Sequence, residues 1–121
     1  MKYILLIYGS ERVWGNMSKE EMEKIYAGHR SYGEAMRKAG VIRDGSELKP
    51  VTTATTVRFT TGKPRTIDGP FAETKEQLAG YYIIEVDNLE DAIWWAEKMP
   101  GMTDGAVEVR PLAMSAEVER V

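Results

Sequence analysis

The sequence has no cysteine and a single histidine. The first absence removes a disulfide framework, Cys-bound zinc, an iron–sulfur cluster and a thiol nucleophile. With one His and scattered acids, no metal-ligand spacing is present either. A basic excess is also missing: 16 Lys and Arg face 19 Asp and Glu, for a net charge of −3. A general nucleic-acid binder would instead show a basic stripe. No run approaches the roughly 20 apolar residues that cross a bilayer. The opening run Tyr3–Tyr8 is too short for the apolar region of a signal peptide and lacks a small-residue cleavage site. Neither the glycine-rich phosphate motifs nor a nucleophile elbow occurs. The expectation is a cytoplasmic protein with no nucleic-acid or membrane partner, no metal and no cofactor.

What is present is material for a core. The 121 residues are 43% apolar or aromatic, enough for one domain over residues 1–121 without a disulfide or metal staple. Residues 3–8 are aromatic and aliphatic throughout, which suits a strand buried on both faces. A loop over 9–17 with Trp14 inside it follows. Ser18 and Glu21 form a capping-box pair that opens a helix running to about Ala39, closed by Gly40. At about 100° per residue, Met22, Ile25, Tyr26, His29, Gly33 and Met36 share one stripe. The only histidine therefore lies in the middle of an apolar face.

Residues 41–45 turn into a second β region. Thr52–Thr60 alternates as a strand, residues 61–64 turn, and residues 65–67 return, giving a hairpin at the rim of a sheet. Residues 79–86 form the next strand. Asp87-Asn88 cap a second helix from Leu89 to about Met99, with Leu89, Ala92, Ile93, Ala96 and Met99 on its apolar side and Trp94 pointing away. The last strand runs from Ala106 to about Leu112. The order β–α–β–β–β–α–β predicts an α+β fold, a ferredoxin-like antiparallel sheet with two helices on one face. Yet the strands over 3–8 and 80–86 are apolar on both faces, where a one-sided sheet would alternate. An uncovered second face would be a large apolar patch, so a second copy packed sheet to sheet is expected: a homodimer, a dimeric α+β barrel with a crevice between the copies. The competing cover is the chain's own tail or the 9–17 loop.

The run Asp68-Gly69-Pro70-Phe71-Ala72-Glu73-Thr74-Lys75-Glu76-Gln77-Leu78-Ala79-Gly80-Tyr81-Tyr82 closely resembles the signature of the DGPF branch of the YCII-related family. The first and last strands are similar to the family's as well. The resemblance implies a ferredoxin-like α+β fold and a dimer with a small-molecule cleft at its interface. It also implies cofactor-free acid/base chemistry of an isomerase or lyase kind, using a His–Asp pair for which His29 and Asp68 are the candidates. Some members of the branch are encoded beside extracytoplasmic-function sigma factors, so the alternative it implies is a non-enzymatic regulatory protein with a sigma factor as partner.

The candidate site residues each carry two readings. His29 is either a proton shuttle, since its ordinary pKa lies near neutrality, or a helix histidine satisfied by one hydrogen bond. Asp68 is either a general base or His partner, or the side chain that fixes an Asx-type turn. Gly69 is expected to take an unusual backbone angle, Phe71 to plug the core edge and Thr74 to cap a short helical turn. Glu73, Lys75 and Glu76 read as a solvated run or as a loop over the cleft. Tyr8, Trp14, Tyr26, Tyr81 and Tyr82 line a pocket or belong to the core and interface. Glu108 and Arg110, alternate residues on the last strand, are polar ligand-binding groups of the cleft or edge charges.

Overall fold

The computed structural model describes residues 1–113, so the tail from 114 onward, including its suggested role as a cover, lies outside the described residues. The chain is a mixed α+β protein. Strand β1 spans Lys2–Gly9, helix α1 Glu11–Gly15, helix α2 Lys19–Lys38 and strand β2 Ile42–Glu47. A single 3-10 turn at Val51–Thr53 leads to β3 (Thr55–Thr60) and β4 (Lys63–Asp68). Then come β5 (Gln77–Glu85), α3 (Leu89–Glu97) and β6 (Ala106–Pro111). The main sheet has the order β2-β5-β1-β6, and its neighbours are all antiparallel.

Three features differ from the sequence reading. The 9–17 segment is not all loop. Ser10 accepts from the Val13 amide and starts the five-residue α1. Residues 42–47 are a strand rather than a turn, and they form the edge of the main sheet beside β5. The β3–β4 hairpin is not at that rim but forms a two-stranded sheet of its own.

Side-chain alternation divides the main sheet cleanly. Tyr3, Leu5 and Ile7 of β1 and Ile84 of β5 are buried on the face that carries the helices. Tyr32 and Met36 of α2, and Ala92 with the following Met99, complete the core against them. Tyr32 joins the two helices by donating its hydroxyl to the Trp95 carbonyl at 2.5 Å. Burial pushes the Tyr32 phenol far above its ordinary range. On the outer face lie Ile4, Leu6 and Tyr8, opposite Ile83, Tyr81, Glu108 and Arg110.

The stripe on α2 forms as its spacing predicts, but only its C-terminal half reaches the core. Ser18 and Glu21 exchange both capping-box bonds, and Gly40 takes a φ of 74° after the last turn. Tyr32, Gly33 and Met36 are buried, while Met22, Ile25 and His29 are half-buried and Tyr26 is exposed. A glycine inside a helix costs about 1 kcal/mol relative to alanine, so Gly33 is an expensive residue there. On α3 only Ala92 is fully buried. Leu89 and Ile93, predicted to face inward, are exposed together with Trp94. The inward side runs instead through Ala92, Trp95 and Ala96 to Met99 just beyond the helix, which leaves Leu89 and Ile93 to one side of it.

Candidate functional site

The N-terminal half of α2 packs less closely on the sheet than the C-terminal half and reaches it through side chains such as Tyr26, which bonds Glu47 of β2. It roofs a cavity of about 730 Å³, within the range of roughly 300–1,000 Å³ typical of small-molecule sites. Met22, Ile25, Tyr26 and His29 come from the helix, Ile7 and Tyr82 from the sheet, and Trp14 from α1. Gly45 to Pro50 form one wall, and Pro100 to Met102 another. Every lining residue of this cavity comes from one chain, and it is distinct from the crevice expected between two copies on the outer face of the sheet.

Local structure explains how each part is held. Gly9 makes room for Trp14: a Cβ there would lie 2.4 Å from its ring. Glu11 ties α1 to its neighbours, its amide donating to Gln77 Oε1 at 2.9 Å and its carboxylate accepting from the Val51 amide at 3.0 Å. The Tyr26 hydroxyl donates to Glu47 Oε1 at 3.3 Å, and that bond raises the phenol's pKa.

At the centre, His29 Nδ1 lies 2.8 Å from the Tyr82 hydroxyl, with the two rings stacked at 5.9 Å between centroids. Burial raises the Tyr82 pKa, so the phenol keeps its proton. That hydroxyl has no other hydrogen-bond partner among the described residues, and the direction of the bond follows the imidazole tautomer: with the proton on Nε2 the Tyr82 hydroxyl donates to Nδ1. Burial also lowers the His29 pKa below its ordinary 6.5, partly opposed by the Glu47 charge. The neutral ring is thus the resting form at pH 7.

This shift has a testable sign. An unfolded chain binds the His29 proton more readily than the folded one. Stability from this group is therefore full above pH 6.5 and is lost as pH falls through the lower folded value. The C2–H resonance of the single histidine should titrate with a midpoint below 6.5, and Tyr82→Phe should alter that midpoint. A wild-type midpoint at or above 6.5 would contradict the desolvated ring.

The structure brings some predicted residues together and separates others. His29 and Tyr26 share the cavity, with Tyr82 and Trp14 beside them. Tyr81 borders it through the backbone of β5, while its ring turns to the outer face and donates to Asp44 Oδ2 at 3.0 Å, which raises its pKa. Tyr8, Glu108 and Arg110 are on the outer face, where the Tyr8 hydroxyl approaches Glu108 Oε1 at 3.4 Å. Asp68 ends the β3–β4 hairpin and is not part of the cavity lining. The group beside His29 is Tyr82, and the carboxylate it senses is Glu47.

The loop after Asp68 corrects three details. No Asx turn forms there. Instead Gly69, at φ 106°, donates its amide to Ala54 O at 2.8 Å, and Thr56 Oγ1 donates to Gly69 O at 2.7 Å. Phe71 is 72% exposed rather than in the core edge, with the Arg58 guanidinium 5.1 Å over its ring. Thr74 caps no helical turn and donates to the Glu76 carbonyl in a bend. Glu47 escaped the sequence reading because residues 42–47 carry turn-forming Asp44-Gly45-Ser46 and were not recognised as a strand; Lys49 follows that strand, and Glu11 lies in the segment read as a loop.

The fold and cavity define a small α+β protein with a ligand-sized site inside one chain. The chain belongs to the YCII-related family, whose domain model matches residues 1–114. It is 38% identical over 116 residues to the uncharacterized protein R00369 of Rhizobium meliloti strain 1021, covering 94% of each. Among solved structures it is similar to 5-chloro-2-hydroxyhydroquinone dehydrochlorinase of Burkholderia phenoliruptrix AC1100 in complex with 2,5-dihydroxybenzoquinone. That match has 13% identity and a TM-score of 0.46, over 97% of this chain and 98% of that one.

Proposed function

We propose that the chain takes a small molecule, apolar in body and polar at one end, into the α2-roofed cavity and carries out cofactor-free acid/base chemistry on it. The observation that supports this is the His29–Tyr82 pair at 2.8 Å inside a mostly apolar cavity. The imidazole is neutral, fixed in orientation by one ring nitrogen, and has its other nitrogen for the ligand. From Nε2 it donates to a ligand oxygen, and a charge developing on that oxygen is stabilised in a partly water-free site. Asp68 has no part in this version. The run 68–82 favours the DGPF branch, and the strand order β2-β5-β1-β6 supports a ferredoxin-like plan. The outer face, with Ile4, Leu6 and Ile83 beside Glu108 and Arg110, suits a second copy related by a twofold axis.

Phenol is a suitable probe, with an apolar ring and one hydroxyl. At millimolar concentration it should shift the ε-methyl resonances of Met22 and Met102, which line the cavity. His29→Gln should weaken phenol about fivefold, the worth of one hydrogen bond of roughly 1 kcal/mol. Unmoved methyl resonances would remove the cavity as a ligand site. Diffusion measured on the same samples gives the particle mass, expected at twice 13.6 kDa. A regulatory protein docking a sigma factor is the second reading. It is favoured by the exposed Leu89, Ile93 and Trp94 on α3, and a cavity that ignores every small probe would favour it further.

A further inference from the structure

On the far side of the His29–Tyr82 pair lies a second, open groove of about 430 Å³. Three arginines line it, Arg30 and Arg37 from α2 and Arg43 from β2. The two cavities share His29, Gly45 and Tyr82 as a common wall. We propose that this groove seats an oxyanion, the carboxylate or phosphate of the same ligand whose apolar body occupies the larger cavity. The inference rests on the reading of that cavity as a small-molecule site.

The sequence places the parts. Residues 30, 33 and 37 follow one another along one side of a helix. The residue between the arginines is Gly33, the expensive glycine of α2. A Cβ on it would meet only the Arg37 guanidinium, at 3.8 Å and 4.0 Å. No packing against the sheet demands its small size there. The Arg37 guanidinium lies over Gly33, one turn back along the helix from its own Cα, while the residue stays exposed.

The charges in the groove are unbalanced. Neither the Arg30 nor the Arg37 guanidinium has a hydrogen bond, ion pair or ring contact among the described residues. In a chain with three more acids than bases, two bare neighbouring guanidinium groups stand out. Arg43 is fixed, its Nε donating to Glu85 Oε1 at 3.2 Å and one terminal nitrogen donating to the Gly40 and Ile42 carbonyls. The one carboxylate in the lining, Asp44, already accepts from Tyr81 at 3.0 Å and from the Gly45 amide at 2.8 Å. Guanidinium forks suit the planar, two-oxygen edge of a carboxylate or phosphate.

The single histidine reports on occupancy. The groups facing it are Tyr82 of β5, Glu47 of β2, and Tyr26 and Arg30 of its own helix, with Arg43 across the groove. An oxyanion added to this set favours the imidazolium. Inorganic phosphate should raise the His29 C2–H midpoint by roughly half a unit, while chloride at equal ionic strength should not. Benzoate is the second arm. A rise with phosphate alone, with benzoate alone or with both supports the proposal and names the oxyanion. The exposed double variant Arg30→Gln/Arg37→Gln should fold, keep its phenol response and lose the rise. No rise with either anion, an equal rise with chloride, or a rise that survives in the double variant would each overturn the oxyanion site. If phenol binds in that event, the cavity reading stands alone. If phenol also fails, both fall.

Discussion

Replacing Leu5 with alanine should lower the unfolding free energy by about 2–5 kcal/mol, the range for a fully enclosed leucine. Leu5 is 0% exposed at the centre of β1, between Tyr82 on β5 and Val109 on β6. The alanine removes apolar contacts and leaves a void that strands paired on both sides cannot close. A domain of this size has roughly 5–15 kcal/mol in all, so the loss is a large share. Urea unfolding should show a lower midpoint at unchanged slope. A loss under 1 kcal/mol would mean that the helices collapse onto the gap.

Gly80→Ala should cost about 1–3 kcal/mol, the usual range for overpacking, and it should damage the site as well as the fold. A Cβ on Gly80 would stand 2.7 Å from the Ser46 carbonyl oxygen, which is backbone and cannot swing aside. β2 must move away from β5. The bond from the Leu48 amide to Ala79 O, now 2.7 Å, should weaken with it. Because residues 45–50 form a cavity wall, phenol binding should fall together with hydrogen-exchange protection in β2. Unchanged protection at Leu48 would show that the strand absorbs the methyl group. The two substitutions separate core stability from site integrity. The first should leave the protection of β2 high relative to global unfolding, and the second should lower it selectively.

Much of this architecture was readable in the residues. The capping pair Ser18 and Glu21, the stripe of α2 and the doubly apolar β1 follow from period and local chemistry. β2 did not. Arg43-Asp44-Gly45-Ser46 is poor strand material, and it is extended because the free edge of β5 pairs with it, a long-range demand that no local window contains. The same blind spot hid Glu47 and Lys49. The hairpin was found, but its separation from the sheet was not, because alternation shows that a strand exists and not what lies beside it. At the site, the position of His29 was legible, whereas its partner was not. Tyr82 read equally well as core, and the choice between it and Asp68 depends on how β5 crosses beneath α2.

Helix α2 is a cantilever. Tyr32 and Met36 clamp its C-terminal end into the interior, and its first three turns span an open space. Its free end is restrained by side-chain links such as Tyr26 to Glu47 and His29 to Tyr82. On the proposed reading, small flexing at that end would open the cavity to a guest without unfolding any loop. The beam that carries the histidine would then also be the door, and a guest that grips the histidine would latch it.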